Sequence, residues 1–233
     1  LNKEDFITIK IDLYRSNIRE TVDFAYKKRF INERPMALDV LLQAQETQLD
    51  DLAFRYGCRA RNCGVCTVDV NNNPRLACRA RVKNGDKISP IATLPVIKDL
   101  IVKRDGIARQ MNGYNNITSK NNLNVEAEKE YHHLTSCIEC YACLDGCPMH
   151  SRNKINLENN EPYESGNPFS LLKIQRLILD PLTPEIEKNN LVKKAKDLGL
   201  DACIDCPGCK CGVGINLKDE VIKPLLTQAY NKS

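Results

Sequence analysis

Twelve cysteines in three sets of four leave this chain few ways to fold. The sets are Cys58, Cys63, Cys66 and Cys78; Cys137, Cys140, Cys143 and Cys147; and Cys203, Cys206, Cys209 and Cys211, with long cysteine-free stretches between them. A disulfide scaffold would need an oxidising compartment. The N-terminal residues Leu1-Asn-Lys-Glu-Asp-Phe, which lack the apolar centre of a secretory signal, do not point to one. Structural zinc also uses four-cysteine sets, but the spacing within each set points to iron–sulfur ligation.

The first set reads Cys58-Arg-Ala-Arg-Asn-Cys63-Gly-Val-Cys66, with Cys78 following after eleven intervening residues. Cys-x4-Cys-x2-Cys and a distant fourth Cys is the plant-type [2Fe–2S] spacing. Three thiolates come from one tight loop, and the fourth pins that loop to the body of the domain. Gly64 lets the backbone pass close to inorganic sulfur and aim N–H groups at it. Around this loop the sequence predicts a small α+β domain. Residues 5–14 alternate with period two as a strand, and Pro35 opens a helical pattern through Leu38, Leu41, Leu42 and Gln45. Cys66–Val70 reads as a second strand, 71–74 as a turn, and Asn84-Gly85-Asp86 as another turn before Lys87-Ile88. Arg55, Arg59, Arg61, Arg75, Arg79 and Arg81 flank the cysteines. They either raise the potential of a negative cluster or form a solvated basic face that meets a partner. The spacing of the cysteines among them speaks against nucleic-acid binding.

Pro95–Val102 marks the passage to a second domain, and the Asn-rich stretch 113–124 reads as surface loop. Then comes Cys137-Ile-Glu-Cys140-Tyr-Ala-Cys143-Leu-Asp-Gly-Cys147-Pro148. In this Cys-x2-Cys-x2-Cys-x3-Cys-Pro run the fourth cysteine ligates the other of two clusters. The other cluster finds its cysteines in Cys203-Ile-Asp-Cys206-Pro-Gly-Cys209-Lys-Cys211. Reciprocity assigns Cys137, Cys140, Cys143 and Cys211 to one [4Fe–4S] cluster, and Cys147, Cys203, Cys206 and Cys209 to a third cluster. Only Lys210 separates Cys209 from Cys211, so two outcomes stand: a second [4Fe–4S], or one spare cysteine and a [3Fe–4S]. Helices over 168–179, 191–198 and 217–230 are expected to pack around the clusters and shield them from water. The first is stopped by Asp180-Pro181, and the second ends at Gly199.

Nothing else in the chain offers chemistry of its own. Gly212-Val-Gly214 lacks the third glycine and the strand–helix setting of a dinucleotide fingerprint. His132 and His133 read as surface or capping residues. Glu139, Asp145 and Asp205 sit beside cysteines, where negative charge would depress a potential or simply be solvated. A formal net charge of +4 and 27% charged residues fit an ordinary globular chain, and no apolar run is long enough to span a bilayer. Clusters without a substrate site place the reaction on a partner.

The chain resembles the iron–sulfur subunits of succinate dehydrogenases and fumarate reductases over about residues 5–225. The resemblance rests on the three cysteine sets, on Arg79 onward into Ile88–Val102, on Gly166-Asn-Pro and on Leu179-Asp180-Pro181. It implies an N-terminal plant-type [2Fe–2S] ferredoxin-like (β-grasp) domain over 1–104 and an all-helical bacterial-ferredoxin-like domain over 105–233. It also implies a flavoprotein subunit carrying FAD, where succinate and fumarate interconvert, with the [2Fe–2S] cluster facing the flavin. The third cluster would face a membrane anchor and its quinone, on the cytoplasmic face of a cell membrane or the matrix face in a mitochondrion. Two features depart from the usual pattern. The last set holds four cysteines where three are usual, and the familiar Trp and His near the quinone are missing: the chain has no Trp, and Cys147-Pro148 is followed by Met149-His150. His150 is a candidate substitute. A related reading keeps the wiring but changes an end, to another dicarboxylate or to a non-quinone acceptor such as a thiol/disulfide partner. Relatives of that kind carry further cysteine-rich domains. None is expected here, since the sequence runs from Cys211 to Ser233 without another cysteine.

Overall fold

The computed structural model describes residues 5–112, 125–159 and 161–230. The Asn-rich stretch 113–124 falls outside them. The chain forms two units. One runs to Lys103 and takes in Ile138–Ala142; the other comprises Arg104–Cys137 and Cys143 onward.

The first unit is built on a mixed five-stranded sheet in the order β2-β1-β5-β3-β4. Its strands are β1 (Phe6–Arg15), β2 (Ile18–Lys27), β3 (Thr67–Val70), β4 (Asn73–Leu76) and β5 (Lys87–Ser89). β5 runs parallel to β1 and antiparallel to β3. Helix α1 (Ala37–Thr47) and a short hairpin, β6 (Val96–Lys98) with β7 (Ile101–Val102), complete the unit. In β1 the period-two pattern buries Ile7, Ile9 and Ile11 and exposes Thr8 and Lys10. The buried set joins Val40, Leu41 and Ala44 of α1, and Cys66 and Cys78, in one core.

The structure departs from the sequence expectations at two places here. β2 is a strand that local pattern does not announce, although Val22, Phe24 and Tyr26 alternate along it and Phe24 and Tyr26 are buried. Ser16 and Asn17, both at positive φ (49° and 65°), make the tight turn that pairs β2 with β1 along their whole length. The 71–74 turn is also shorter than expected. Asn71 and Asn72 supply its left-handed residues, while Asn73 and Pro74 belong to β4. A proline fits there because β4 is an edge strand and needs no outward amide.

The entry to the cysteine loop is tied down by a buried carboxylate. Asp99 accepts from the Ala53 N–H (2.9 Å), the Tyr14 N–H (3.3 Å) and Arg15 Nε (3.1 Å), and the Leu100 N–H donates to the Ala53 carbonyl at 3.0 Å. The chain therefore enters the loop from a fixed point beside β1.

Among the described residues the second unit holds helices only. They are α2 (Asp105–Arg109), α3 (Lys129–Thr135), α4 (Pro148–Ser151), α5 (Lys154–Asn159), α6 (Pro168–Leu179), α7 (Glu185–Asp197) and α8 (Lys223–Tyr230). α6 begins at an Asn167 cap that accepts from the Ser170 N–H at 3.0 Å, and it buries Leu171, Leu172, Ile174 and Ile178. α7 starts earlier than its apolar pattern suggests. Its first turns are polar and expose Ile186, so periodicity alone sees only the buried half carrying Leu191, Val192 and Ala195. It ends at Gly199, whose φ of 95° takes the left-handed cap. A π-helical turn, Lys218–Ile222, leads into α8.

A second buried carboxylate sets the acid stability of the sheet. Asp12, 1% exposed, accepts from Arg19 Nη2 (2.6 Å), Thr21 Oγ1 (2.6 Å) and Lys87 Nζ (3.0 Å). Burial pushes its carboxyl up, but the bonds from Thr21, Lys87 and Arg19 outweigh this and hold it below the ordinary value. A carboxyl with a lowered folded pKa contributes its full stability above the unfolded pKa and loses it as pH falls through the folded one. Urea melts between pH 7 and pH 3 should therefore show acid destabilisation that Asp12→Asn flattens. Asp12→Ala should cost about 1–2 kcal/mol at pH 7 by removing the hydrogen bonds that Thr21, Arg19 and Lys87 give the buried carboxylate, the two cations staying solvated.

Candidate iron–sulfur sites

The first cysteine set lies on the loop between α1 and β3 and on the turn after β4. The loop carries three left-handed residues, Arg59, Arg61 and Gly64, at φ of 55°, 63° and 67°. This winding turns successive amides inward. The N–H groups of Ala60, Asn62 and Cys63 all donate to Cys58 Sγ, at 3.3, 3.2 and 3.3 Å. Those amides, Ala60 and Asn62 foremost, pull the Cys58 thiol down to about 7. Cys63 also reaches the Cys58 sulfur, while Cys66 interacts with Cys78 and Cys63. The loop and turn thus bring all four side chains together. Cys66 is buried, and burial followed by its contact with Cys78 pushes its thiol up to about 11.

Gly64 is required on two counts. Its φ is one that L side chains rarely adopt, and a Cβ there would run into the carbonyl oxygen of Ile138. Ile138 belongs to the same unit, so the loop is pressed against its own domain. Close passage to inorganic sulfur is the reason for glycine that the sequence offers; the approach to the Ile138 carbonyl is a long-range contact it does not reveal.

In the second unit Cys147 caps α4 and accepts from the His150 N–H at 3.5 Å. Cys147 interacts with Cys206; Cys203 with Cys147, Cys209 and Cys206; and Cys209 with Cys147 and Cys206. Burial, then the mutual repulsion of their negative forms, pushes Cys203 and Cys209 up to about 12. Gly208, at φ 117°, turns the chain just before Cys209. Cys211, two residues on, is engaged differently: its Sγ accepts from the Val213 N–H at 3.4 Å. Cys137, Cys143 and Cys211 lie against the core of the second unit, and Cys140 lies in the core of the first. Glu139 and Tyr141, on either side of Cys140, both take positive φ (55° and 61°).

Among the described residues no group of three or more His, Cys, Asp or Glu is arranged to hold a single metal ion. An iron–sulfur cluster sets a different demand, since its thiolates ring a core of several atoms. The two four-thiol groups suit that demand. Each offers soft donors that are costly to ionise together and that irons would deprotonate.

The other sequence candidates have plain settings. All six arginines of the first loop region are exposed. Arg59 lies 5.4 Å over the Tyr56 ring, Arg55 donates to the Val102 carbonyl (3.2 Å) and Arg81 to the Arg34 carbonyl (3.3 Å). Glu139, Asp145 and Asp205 are exposed, and His133 pairs with Glu220 at 2.5 Å on the surface. His150 is buried, its ring edge-on to Tyr163 at 6.0 Å. Met149 carries no local signal of a role, yet its sulfur lies 3.5 Å from Cys203 Sγ. Sequence reasoning passes over that contact because Cys203 is remote in the chain.

Comparison with known proteins places this geometry. Residues 9–109 match the family described as 2Fe-2S iron-sulfur cluster binding domain. The chain is 31% identical over 204 residues to a subunit of the fumarate reductase (CoM/CoB) of Methanothermobacter marburgensis, covering 84% of this chain and 39% of that one. It is 29% identical over 128 residues to the Escherichia coli fumarate reductase iron-sulfur subunit, covering 50% of this chain and 52% of the other. To the mitochondrial succinate dehydrogenase [ubiquinone] iron-sulfur subunit 1 of Oryza sativa it is 28% identical over 206 residues, 82% of this chain and 70% of that one. It thus spans well under two thirds of the first two relatives. A chain of the Mycobacterium smegmatis Sdh1 complex in the apo form has the same fold, with a TM-score of 0.80, 21% identity, and coverage of 98% and 97%.

In the metal-free chain at pH 7.5, iodoacetamide should modify Cys58 first and Cys203 and Cys209 last, as read by peptide mass spectrometry. Raising the pH from 6 to 8 should speed modification of Cys58 about tenfold, following its thiolate fraction. Gly64→Ala should cost the first unit about 1–3 kcal/mol from φ strain alone, measured by denaturant melts, and should weaken iron uptake by the first set.

Proposed function

We propose that this chain, which belongs to the succinate dehydrogenase and fumarate reductase iron–sulfur subunit family, relays electrons singly between FAD in a flavoprotein subunit and a membrane quinone site. Cys58, Cys63, Cys66 and Cys78 hold a [2Fe–2S] cluster. Cys137, Cys140, Cys143 and Cys211 hold a [4Fe–4S] cluster, and Cys147, Cys203, Cys206 and Cys209 hold a third, also [4Fe–4S]. Residues 1–104 act as the plant-type, β-grasp [2Fe–2S] domain and 105–233 as the bacterial-ferredoxin-like domain. The chain sits peripherally on the cytoplasmic face of a membrane, with an anchor subunit. Among the described residues no helix is long and apolar enough to cross one.

The observation that carries this reading is the mutual proximity of Cys147 with Cys203, Cys206 and Cys209. One cysteine of the first bacterial-type run is thereby grouped with three of the second, which is the exchange that two adjacent clusters require. Bound clusters supply one-electron storage. The protein spaces the thiols, aims the amides of Ala60, Asn62 and Cys63 at one sulfur, and keeps water from Cys66, Cys78, Cys147 and Cys203.

A second reading replaces the quinone with a thiol/disulfide partner. The similarity to the Methanothermobacter protein named for a CoM/CoB fumarate reductase favours it, as does a sequence without any Trp to line a quinone site. The buried setting of His150 against Tyr163 also leaves it poorly placed to meet a quinone.

Low-temperature EPR of anaerobically isolated protein tests the cluster assignment. About ten irons per chain are expected, with one [2Fe–2S] and two interacting [4Fe–4S] signals on reduction. Cys147→Ser should remove or convert the third signal and spare the [2Fe–2S] one. A [3Fe–4S] signal in oxidised wild type would overturn the four-thiolate third site. Stopped-flow mixing of the reduced complex with a soluble quinone should reoxidise the clusters; reoxidation only by a disulfide would favour the second reading.

A further inference from the structure

Met149 is fully buried in α4, two residues after Cys147, with its thioether 3.5 Å from Cys203 Sγ. Its seat is built for it. A Cβ on Gly166 would lie 2.8 Å from Met149 Cε and 2.9 Å from Leu198 Cβ. The Gly166 N–H donates to the Leu198 carbonyl at 2.8 Å, so this stretch of backbone is held in place against its neighbour. Only a residue without a side chain leaves room there. Met149, Leu198, Cys147 and Cys203 belong to one apolar core.

We propose that Met149, seated over Gly166, is the positioning residue that seals the Cys203 side of the third cluster from water and so holds its potential down. This rests on the reading of Cys147, Cys203, Cys206 and Cys209 as a cluster site. As a ligand Cys203 is a thiolate without an S–H, and the thioether that packs on it brings neither a donor nor a charge. Reduction adds one electron to an already negative centre. Water beside the cluster would solvate that added charge, and a thioether cannot. Breaking the seal therefore raises the potential. Glutamine matches methionine in length but brings an amide N–H, so it has the same effect without leaving a cavity.

The test is an anaerobic redox titration followed by EPR on the full chain, with the [2Fe–2S] signal of the first unit as an internal check on folding. Met149→Gln and Met149→Ala should raise the third midpoint. The oxidised-to-reduced ratio at a fixed potential should fall about tenfold, equivalent to about 59 mV for one electron. Gly166→Ala should move it the same way by displacing the Met149 methyl, and Met149→Leu, which keeps the bulk, should leave it in place. An unshifted or lowered midpoint in Met149→Gln with full iron content overturns the proposal, and so does a shift in Met149→Leu as large as that in Met149→Gln. If the alanine variant loses the [2Fe–2S] signal as well, the glutamine and leucine variants decide. A wild-type chain with iron at the other two sets and none at Cys147, Cys203, Cys206 and Cys209 overturns it differently, by removing the site itself.

Discussion

Four thiols held within reach of one another cannot all ionise unless positive charge sits among them, and burial of some of them raises the cost further. That constraint organises both cysteine groups of this protein. In the second unit, burial and mutual repulsion drive Cys203 and Cys209 up to about 12. In the first, Cys58 faces solvent at the mouth of a ring of amides and is pulled down to about 7, while Cys66 behind it is pushed up to about 11. A group so arranged is poised to give up its protons to irons rather than to water. The surrounding fold serves to keep the thiols close at that electrostatic cost.

The two units meet the constraint by different means. The first winds a loop through left-handed residues so that backbone amides converge on one sulfur, and anchors its entrance through Asp99 to β1. The second relies on apolar packing: α6, α7 and α8 supply a core in which Cys147 and Cys203 are themselves members. Polar support there runs through the Asn167 cap and through Gln110 and Asn153, which bond the Ser165 backbone, while Leu, Ile and Met side chains fill the core. Hydrogen bonds to sulfur and burial are two recognised levers on a cluster potential; the first dominates at Cys58 and the second at Cys203 and Cys209.

Much of this is legible in the residues. The strand β1, the helices α1 and α6, the Gly199 cap and the three cysteine sets all follow from local period, capping chemistry and spacing. The misses share a cause. β2 escapes notice because its outer face is charged and half its period is hidden until β1 pairs with it. Pro74 reads as a turn residue until the sheet order shows β4 at an edge. The polar start of α7 carries no apolar stripe because Ile186 stands exposed there.

By itself the sequence determined the number and kind of thiol sets, because ligand spacing along a chain is a local property that only a few cluster geometries satisfy. Tertiary structure alone decided the long-range matters. It pressed Gly64 against the Ile138 carbonyl, left the arginines at the surface, and seated Met149 between Gly166 and Cys203. Those outcomes depend on which surfaces meet when the helices and sheet pack. Packing is settled by shape and burial summed over the whole unit, which no short stretch of residues encodes.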